Sequence, residues 1–484
     1  MSIKNEIMLI TYADSLGKNL MELNNILLEH FAEAIGSVHI LPFYPYSADR
    51  GFAPIAYDRV DDQFGSWEDI EKINKNFELM FDFMINHISR QSKFFQDFLE
   101  KKDDSPYSDY FIRYKDFWPG GEPAQEDIDR IYKRKPRAPY IEVEFADGSQ
   151  EKIWCTFDEE QVDLNVNSEG VKKFIEETLI KLAERGASLI RLDAFAYAIK
   201  KPGSSCFFIE PDVWELLDYA ESILKPYDVE ILPEIHEHYQ IQLKLAERGY
   251  WVYDFALPMI MLYSLYSGRN ERLINWLKIC PDKQFTTLDT HDGIGVVDVK
   301  DLLKDEEIEQ TKDYLYERGS NVKRIYNSAE YGNLDIYQIN CTYYSALGNN
   351  DEAYLLARAL QFFAPGIPQV YYVGLLAGKN DTDLVEKTNI GRNINRHYYS
   401  INEVEQEVTR PVVKRLIRLM EFRNKYPAFE GDYKIHNVEN ANEIKISWKK
   451  GDYMTVLKAD LSNYNFEISY RDISSSKLKK LEGI

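Results

Sequence analysis

Hydrophobic positions fall into short blocks, separated by longer segments in which apolar residues recur every three or four places. EIMLITYA from Glu6 and VHILPFYPYS from Val38 read as strands, with an amphipathic helix from Asn19 between them. A loop from Asp49 leads to a helix opened by Ser66 to Asp69, and FELMFDFMINHIS reads as a third strand ending at Asn86 and His87. After a long interruption the alternation resumes. LIRLDAFA, VEILPEIHEHY, GYWVYDFALP, QFTTLDTHDGIG and PGIPQVYYVGLL supply strands four to eight, with helices such as GVKKFIEETLIKLAERG and PDVWELLDYAESILKPY among them. Strands joined by crossover helices pair in parallel, and eight of them predict an α/β chain built on a closed (β/α)₈ TIM barrel.

Two stretches break the pattern. From Ser89 to Asn165 the sequence is polar, aromatic and rich in turn residues, and a second interruption runs from Gly293 to Leu347. Connections of that length are commonly functional. Residues 88–165 and 293–347 are therefore expected to be subdomains inserted after strands three and seven, leaving 1–87, 166–292 and 348–427 to the barrel. From Ala428 the pattern alternates, as in NEIKISWKK and DYMTVLKADL, which predicts a small antiparallel β domain over 428–484.

Composition narrows the function. With 80 acidic against 58 basic side chains the net charge of -22 repels nucleic acid and anionic membrane surfaces, so neither is an expected partner. The four cysteines lack metal-ligand spacing, which predicts neither disulfides nor a zinc site. The first residues enter a strand without a signal-type apolar core, and no apolar run is long enough to cross a bilayer. A cytoplasmic protein, monomer or homodimer, is expected.

Chemistry collects where the predicted strands end. Arg191 and Asp193 lie two apart in a strand and should project together. His87, Glu234 with His236, and His291 with Asp292 occupy other strand ends, and in a barrel such positions meet at one face. Taken singly, each has an ordinary explanation: a core histidine, a structural ion pair, a turn aspartate. Taken together they place several carboxyls around one space. Two carboxyls flanking a bond suit glycosidic cleavage, by hydrolysis or by transfer.

The ordered motifs HILPFYP, INH, QVDLN, RLDAFAYA, LPEIHEHY and TTLDTHDG resemble the α-amylase superfamily of glycoside hydrolases. AEYGNLDIYQIN and GRNINRHYYS extend the likeness to its sucrose phosphorylase subfamily over nearly all of the chain, weakening after Ala428. The resemblance implies a retaining enzyme that moves glucose from sucrose to inorganic phosphate, giving α-D-glucose 1-phosphate and fructose, with no metal or organic cofactor. It implies Asp193 as nucleophile, Glu234 as acid and base, and Asp292 as the group gripping the sugar hydroxyls. Arg191 would orient Asp193, while His87 and His291 would bond the glucosyl hydroxyls. Asp49 and Arg392 would close the pocket end, and Phe52 would face the developing positive charge. Gln161 and Tyr197 would stand near the acceptor side.

A phosphorylase must bind phosphate where a hydrolase admits water. The run Lys133, Arg134, Lys135, Pro136, Arg137 is the cationic exception in this chain. Charge runs are usually solvated faces. The residues leave Arg134 and Arg137 equal, and the resemblance favours Arg134, with His236 and the loop Asp335, Ile336, Tyr337, Gln338 completing an acceptor site used in turn by fructose and phosphate. Sucrose 6'-phosphate phosphorylase, glucosylglycerol phosphorylase and a sucrose hydrolase remain as alternatives. Asp335, which would repel a phosphorylated fructose, favours plain sucrose.

Overall fold

The computed structural model describes residues 3–135, 137–320, 337–471 and 477–484. Strands β1 (Met8–Thr11), β2 (Ser37–Ile40) and β3 (Glu78–Met84) come first. The first interruption contributes β4 (His87–Ser89), the hairpin β5 (Tyr140–Glu144) and β6 (Gln150–Trp154), and β7 (Gln161–Asp163). Then follow β8 (Ala187–Asp193), β9 (Glu230–Pro233), β10 (Val252–Asp254) and β11 (Gln284–Thr286). The short β12 (Ile294–Gly295) and β13 (Gln338–Ile339) precede β14 (Ile367–Tyr371), and β15 (Asp432–Ile435), β16 (Glu443–Lys450), β17 (Tyr453–Asp460), β18 (Phe466–Arg471) and β19 (Leu478–Lys480) follow.

Eight of these form one sheet in the order β10-β11-β14-β1-β2-β3-β8-β9, every pairing parallel. Its two ends, β9 and β10, pack side by side without joining ladders, so the expected barrel is nearly closed. The reason is visible in the strands: β1 and β2 are buried at every position, as strands enclosed on both faces must be. Met8, Met80, Leu189, Leu232, Phe285 and Ile367 fill the barrel interior as one apolar cluster. That plug leaves the polar ends of the strands facing one side.

One boundary differs from the sequence reading. β3 stops at Met84, and His87 opens β4, which runs antiparallel to β7 with His87 opposite Asp163 and Ser89 opposite Gln161. Ile85 prolongs the apolar run past Met84, so Asn86 and His87 read as the end of the same strand and hide the change of direction. The terminal strands form the expected antiparallel sheet, β15-β16-β17-β18-β19, and Trp448 anchors it by donating its indole N–H to the Phe363 carbonyl at 2.9 Å. Among the described residues no helix is long and apolar enough to cross a membrane.

Candidate active site

Arg191 is the hub. Near the end of β8 its Nη1 donates to Asp193 Oδ1 at 2.7 Å and to Asp82 Oδ1 at 2.5 Å, while Nη2 lies 3.8 Å from Glu234 Oε1. Asp82, the register partner of Arg191 on β3, also meets His39 Nε2 of β2 at 2.6 Å. Burial alone would raise the Asp82 carboxyl, but His39 and Arg191 outweigh it and hold it down at about 2. The two aspartates share Nη1, so the charge on Asp82 holds the guanidinium where Asp193 meets it.

Asp193 has the opposite balance. Burial is the largest influence; Arg191 opposes it, while the Glu234 and Asp82 charges reinforce it, so the carboxyl is pushed up to about 8. Glu234 reaches the same space from beyond β9, its Oε2 accepting the Ala194 N–H at 3.2 Å. Ala194 follows the strand in a left-handed conformation, φ 54°, turning its N–H toward that carboxylate.

Asp292, after β11, completes the set: an oxygen of Glu234, an oxygen of Asp292 and a ring nitrogen of His236 all lie within 4.8 Å of one another. Burial would raise Asp292, but His291, Arg392, His236 and Arg396 hold it well below the usual carboxylate range. His291 is kept neutral, first by burial and then by Arg191 and Arg396 against the pull of Asp292. Its ring stacks on Phe52 at 4.8 Å between centroids, and its buried Nδ1 has no hydrogen-bond partner among the described residues. At the far end Arg392 lies 3.2 Å from Asp49 and 3.5 Å from Asp292.

His87 and Gln161 serve the wall. His87 Nε2 and Gln161 Nε2 approach the Phe52 carbonyl at 2.9 and 2.8 Å, and Asn86 Nδ2 lies 3.3 Å from His87 Nδ1. Both ring nitrogens of His87 thus face protein groups. Burial first, against the pull of Asp163, holds the ring neutral.

The other flank carries the remaining candidates. The Arg134 guanidinium sits 3.5 Å over the Tyr337 ring and 6.0 Å from that of Tyr197. Arg137 is committed elsewhere, donating to the carbonyls of Tyr140 at 2.7 Å, Phe157 at 3.0 Å and Ala138 at 3.1 Å. The two arginines that were equal in the sequence are thus distinguished by geometry. His236 stacks on Phe255 with centroids 3.6 Å apart, and its ring nitrogens face Glu234 and Asp298 at 3.5 Å each. Gln338 Nε2 lies 3.3 Å from His236, held there by the pairing of Gly295 with Gln338. Asp335 and Ile336 lie outside the described residues.

Several participants have no place in the sequence analysis: Asp82 with His39, Asp298, Arg396 at 3.5 Å from Asp49, and Lys200, whose ammonium meets Asp163 at 2.8 Å behind His87. Asp82 had a signal, being the one acid inside the apolar strand MFDFM. His39 lies in β2 without a visible partner in the sequence, and Asp298, Arg396 and Lys200 lie outside the barrel strands, where an acid or a base is unremarkable.

Comparison with known proteins agrees with this arrangement. The family described as Alpha amylase, catalytic domain, matches residues 32–244. A sucrose phosphorylase of Streptococcus mutans is 57% identical over 476 residues, covering 98% of this chain and 99% of the relative. A glucosylglycerol phosphorylase of Marinobacter adhaerens is 42% identical over all of both chains. The crystal structure of sucrose 6F-phosphate phosphorylase from Thermoanaerobacter thermosaccharolyticum superposes with a TM-score of 0.96 at 46% identity, covering 99% of this chain and 98% of that one.

Proposed function

The chain belongs to the sucrose phosphorylase subfamily of the α-amylase family, and from that membership we propose that it is a cytoplasmic hexosyltransferase, transferring glucose from sucrose to inorganic phosphate. The observation that carries this reading is the fork of Arg191, which gathers Asp193 and Glu234 around one space with Asp292 alongside.

In the proposed first step the ionised form of Asp193, which Arg191 favours, attacks the anomeric carbon while the bond to fructose breaks and Glu234 gives its proton to the leaving oxygen. Asp292 meets the sugar hydroxyls and favours the oxocarbenium-like state. In the second step a phosphate oxygen attacks the glucosyl-Asp193 ester and Glu234 takes back the proton. Two inversions retain the configuration, so the product is α-D-glucose 1-phosphate. Arg134, His236, Tyr337, Gln338 and Tyr197 form the acceptor side, and Asp49 with Arg392 ends the pocket after one glucosyl unit. The His291 Nδ1 left unpaired in a buried wall suits a sugar hydroxyl. His87 and Gln161 act by holding the Phe52 loop. The same reading divides the chain into a barrel of 1–87, 166–292 and 348–427, insertions 88–165 and 293–347, and a terminal module from 428.

Plain sucrose is preferred because identity is 57% to a sucrose phosphorylase against 46% to a sucrose 6(F)-phosphate phosphorylase. The test is incubation with sucrose, sucrose 6'-phosphate and glucosylglycerol, each with and without phosphate. Glucose 1-phosphate from sucrose alone supports the proposal. Preference for either other donor, or phosphate-independent release of glucose, overturns it.

A further inference from the structure

The loop after β2 contains a conformation that its residues would not choose. Asp49, Arg50 and Gly51 follow one another at φ 47°, 51° and 107°. Gly51 is obligatory, since a Cβ there would stand 2.5 Å from the Pro42 carbonyl oxygen. Asp49 and Arg50 carry side chains, and left-handed backbone crowds the Cβ of an L-residue, so two in succession persist only where the surroundings over-determine them. Strain of this kind gathers at ligand sites.

The restraint is Arg50. Its guanidinium lies between two rings, 3.9 Å from the centroid of Tyr12 and 4.0 Å from that of Tyr398. It donates to Asp14 Oδ1 at 2.8 Å, Ser15 Oγ at 3.0 Å and the Arg396 carbonyl at 3.3 Å. These anchors belong to two different parts of the chain: the residues following β1, and the segment from Arg392 to Tyr398. The second is the segment whose Arg392 and Arg396 meet the Asp49 carboxylate. One side chain therefore ties the turn both to the barrel and to the arginines that Asp49 must face.

We propose that Arg50 is a positioning residue for glucosyl recognition: by clamping the left-handed turn Asp49–Gly51 it keeps the Asp49 carboxylate aimed at the closed end of the donor pocket. The inference rests on the reading of Asp49 as a glucosyl contact. Arg50 has no contact with Asp193, Glu234 or Asp292 among those of its guanidinium, so its influence passes through Asp49.

The experiment is a double-mutant cycle read as KM and kcat for sucrose and KM for phosphate. Arg50→Ala is expected to raise the KM for sucrose about tenfold, equivalent to about 1.4 kcal/mol, with kcat and the phosphate KM little changed. In the Asp49→Ala background the same substitution should add almost nothing. A tenfold penalty in both backgrounds, or none in either, overturns the clamp. Asp49→Ala without effect on the sucrose KM overturns the reading of Asp49 and the clamp with it, whereas a raised KM in Asp49→Ala beside a normal Arg50→Ala overturns the clamp alone. Should Arg50→Ala fail to fold, Tyr398→Ala removes one stacking face from a ring that is 45% exposed. A smaller rise of the same kind, again absent with Asp49→Ala, supports the proposal; its persistence in that background counts against it.

Discussion

The proposed glucosyl side and the proposed acceptor side of this pocket are held by different kinds of contact. On the glucosyl side, His39, Asp82, Arg191 and Asp193 form a chain of contacts of 2.5–2.7 Å, and Asp49 is met by two arginines. On the acceptor side, His236 meets its two carboxylates only at 3.5 Å, and Arg134 rests on a ring face. If one donor sugar must be gripped identically in every cycle, short charge-assisted bonds are the suitable material. A space that releases neutral fructose and then admits anionic phosphate cannot be fixed to one ligand; ring faces and longer contacts accept both.

The largest expected effect lies within the rigid side, where two aspartates on one guanidinium have opposite pH behaviour. Asp193→Asn should lower transfer by on the order of 10⁴-fold or more, as loss of a nucleophile does, yet raise thermal stability. The sign follows from its raised carboxyl: between about 3.9 and about 8 the native state holds a proton that the unfolded state has released, so rising pH costs stability across that window. The gain from Asp193→Asn should therefore be larger in calorimetry at pH 8 than at pH 5. Asp82 is the reverse. Its carboxyl, held at about 2, contributes stability above the unfolded value that is lost as pH falls toward 2. Asp82→Ala leaves Arg191 and His39 underpaired, and should cost about 3–5 kcal/mol at neutral pH, as breaking a buried pair does. Equal, pH-independent shifts for both would remove the distinction between a structural and a functional carboxylate.

Glu234 stands on the border between the sides, and its substitution should separate chemistry from binding. Glu234→Gln is expected to lose about 10²–10⁴-fold on sucrose, the usual contribution of a positioned acid. A donor whose leaving group needs no proton should be largely spared in the first step. Parallel loss on both donors would show that Glu234 acts on the glucosyl unit instead.

How much of this could be read from the chain follows the same division. The barrel was legible because strands enclosed on both faces are continuous apolar blocks, and topology then brings their ends together without knowledge of any contact. That logic sufficed for Arg191, Asp193, Glu234 and Asp292. It failed at His87, where Ile85 prolongs the apolar run past the end of β3 and the polar Asn86 and His87 then read as the end of the same strand. It also missed Asp82, because an acid within a strand gives no hint of which partner lies across the sheet, and Arg50, because positive φ leaves no mark on an arginine. The acceptor side was legible only as a charge run, since a ring under a guanidinium arrives from hundreds of residues away.

That charge run supplies the smallest and most discriminating test. Arg134 and Arg137 are three residues apart and carry the same side chain, but one faces Tyr337 while the other donates to four backbone carbonyls. Arg134→Ala should raise the phosphate KM by about 10–100-fold, the worth of a hydrogen bond to a charged group at about 1.5–3 kcal/mol, with a smaller change for sucrose and an unchanged melting temperature. Arg137→Ala should do the opposite: those carbonyls lose their donor, so melting temperature falls while phosphate KM in the folded enzyme stays put. If instead both substitutions raise the phosphate KM alike, the whole run acts as a diffuse field rather than a site, and the acceptor side owes its phosphate affinity to net local charge instead of to Arg134's place above Tyr337.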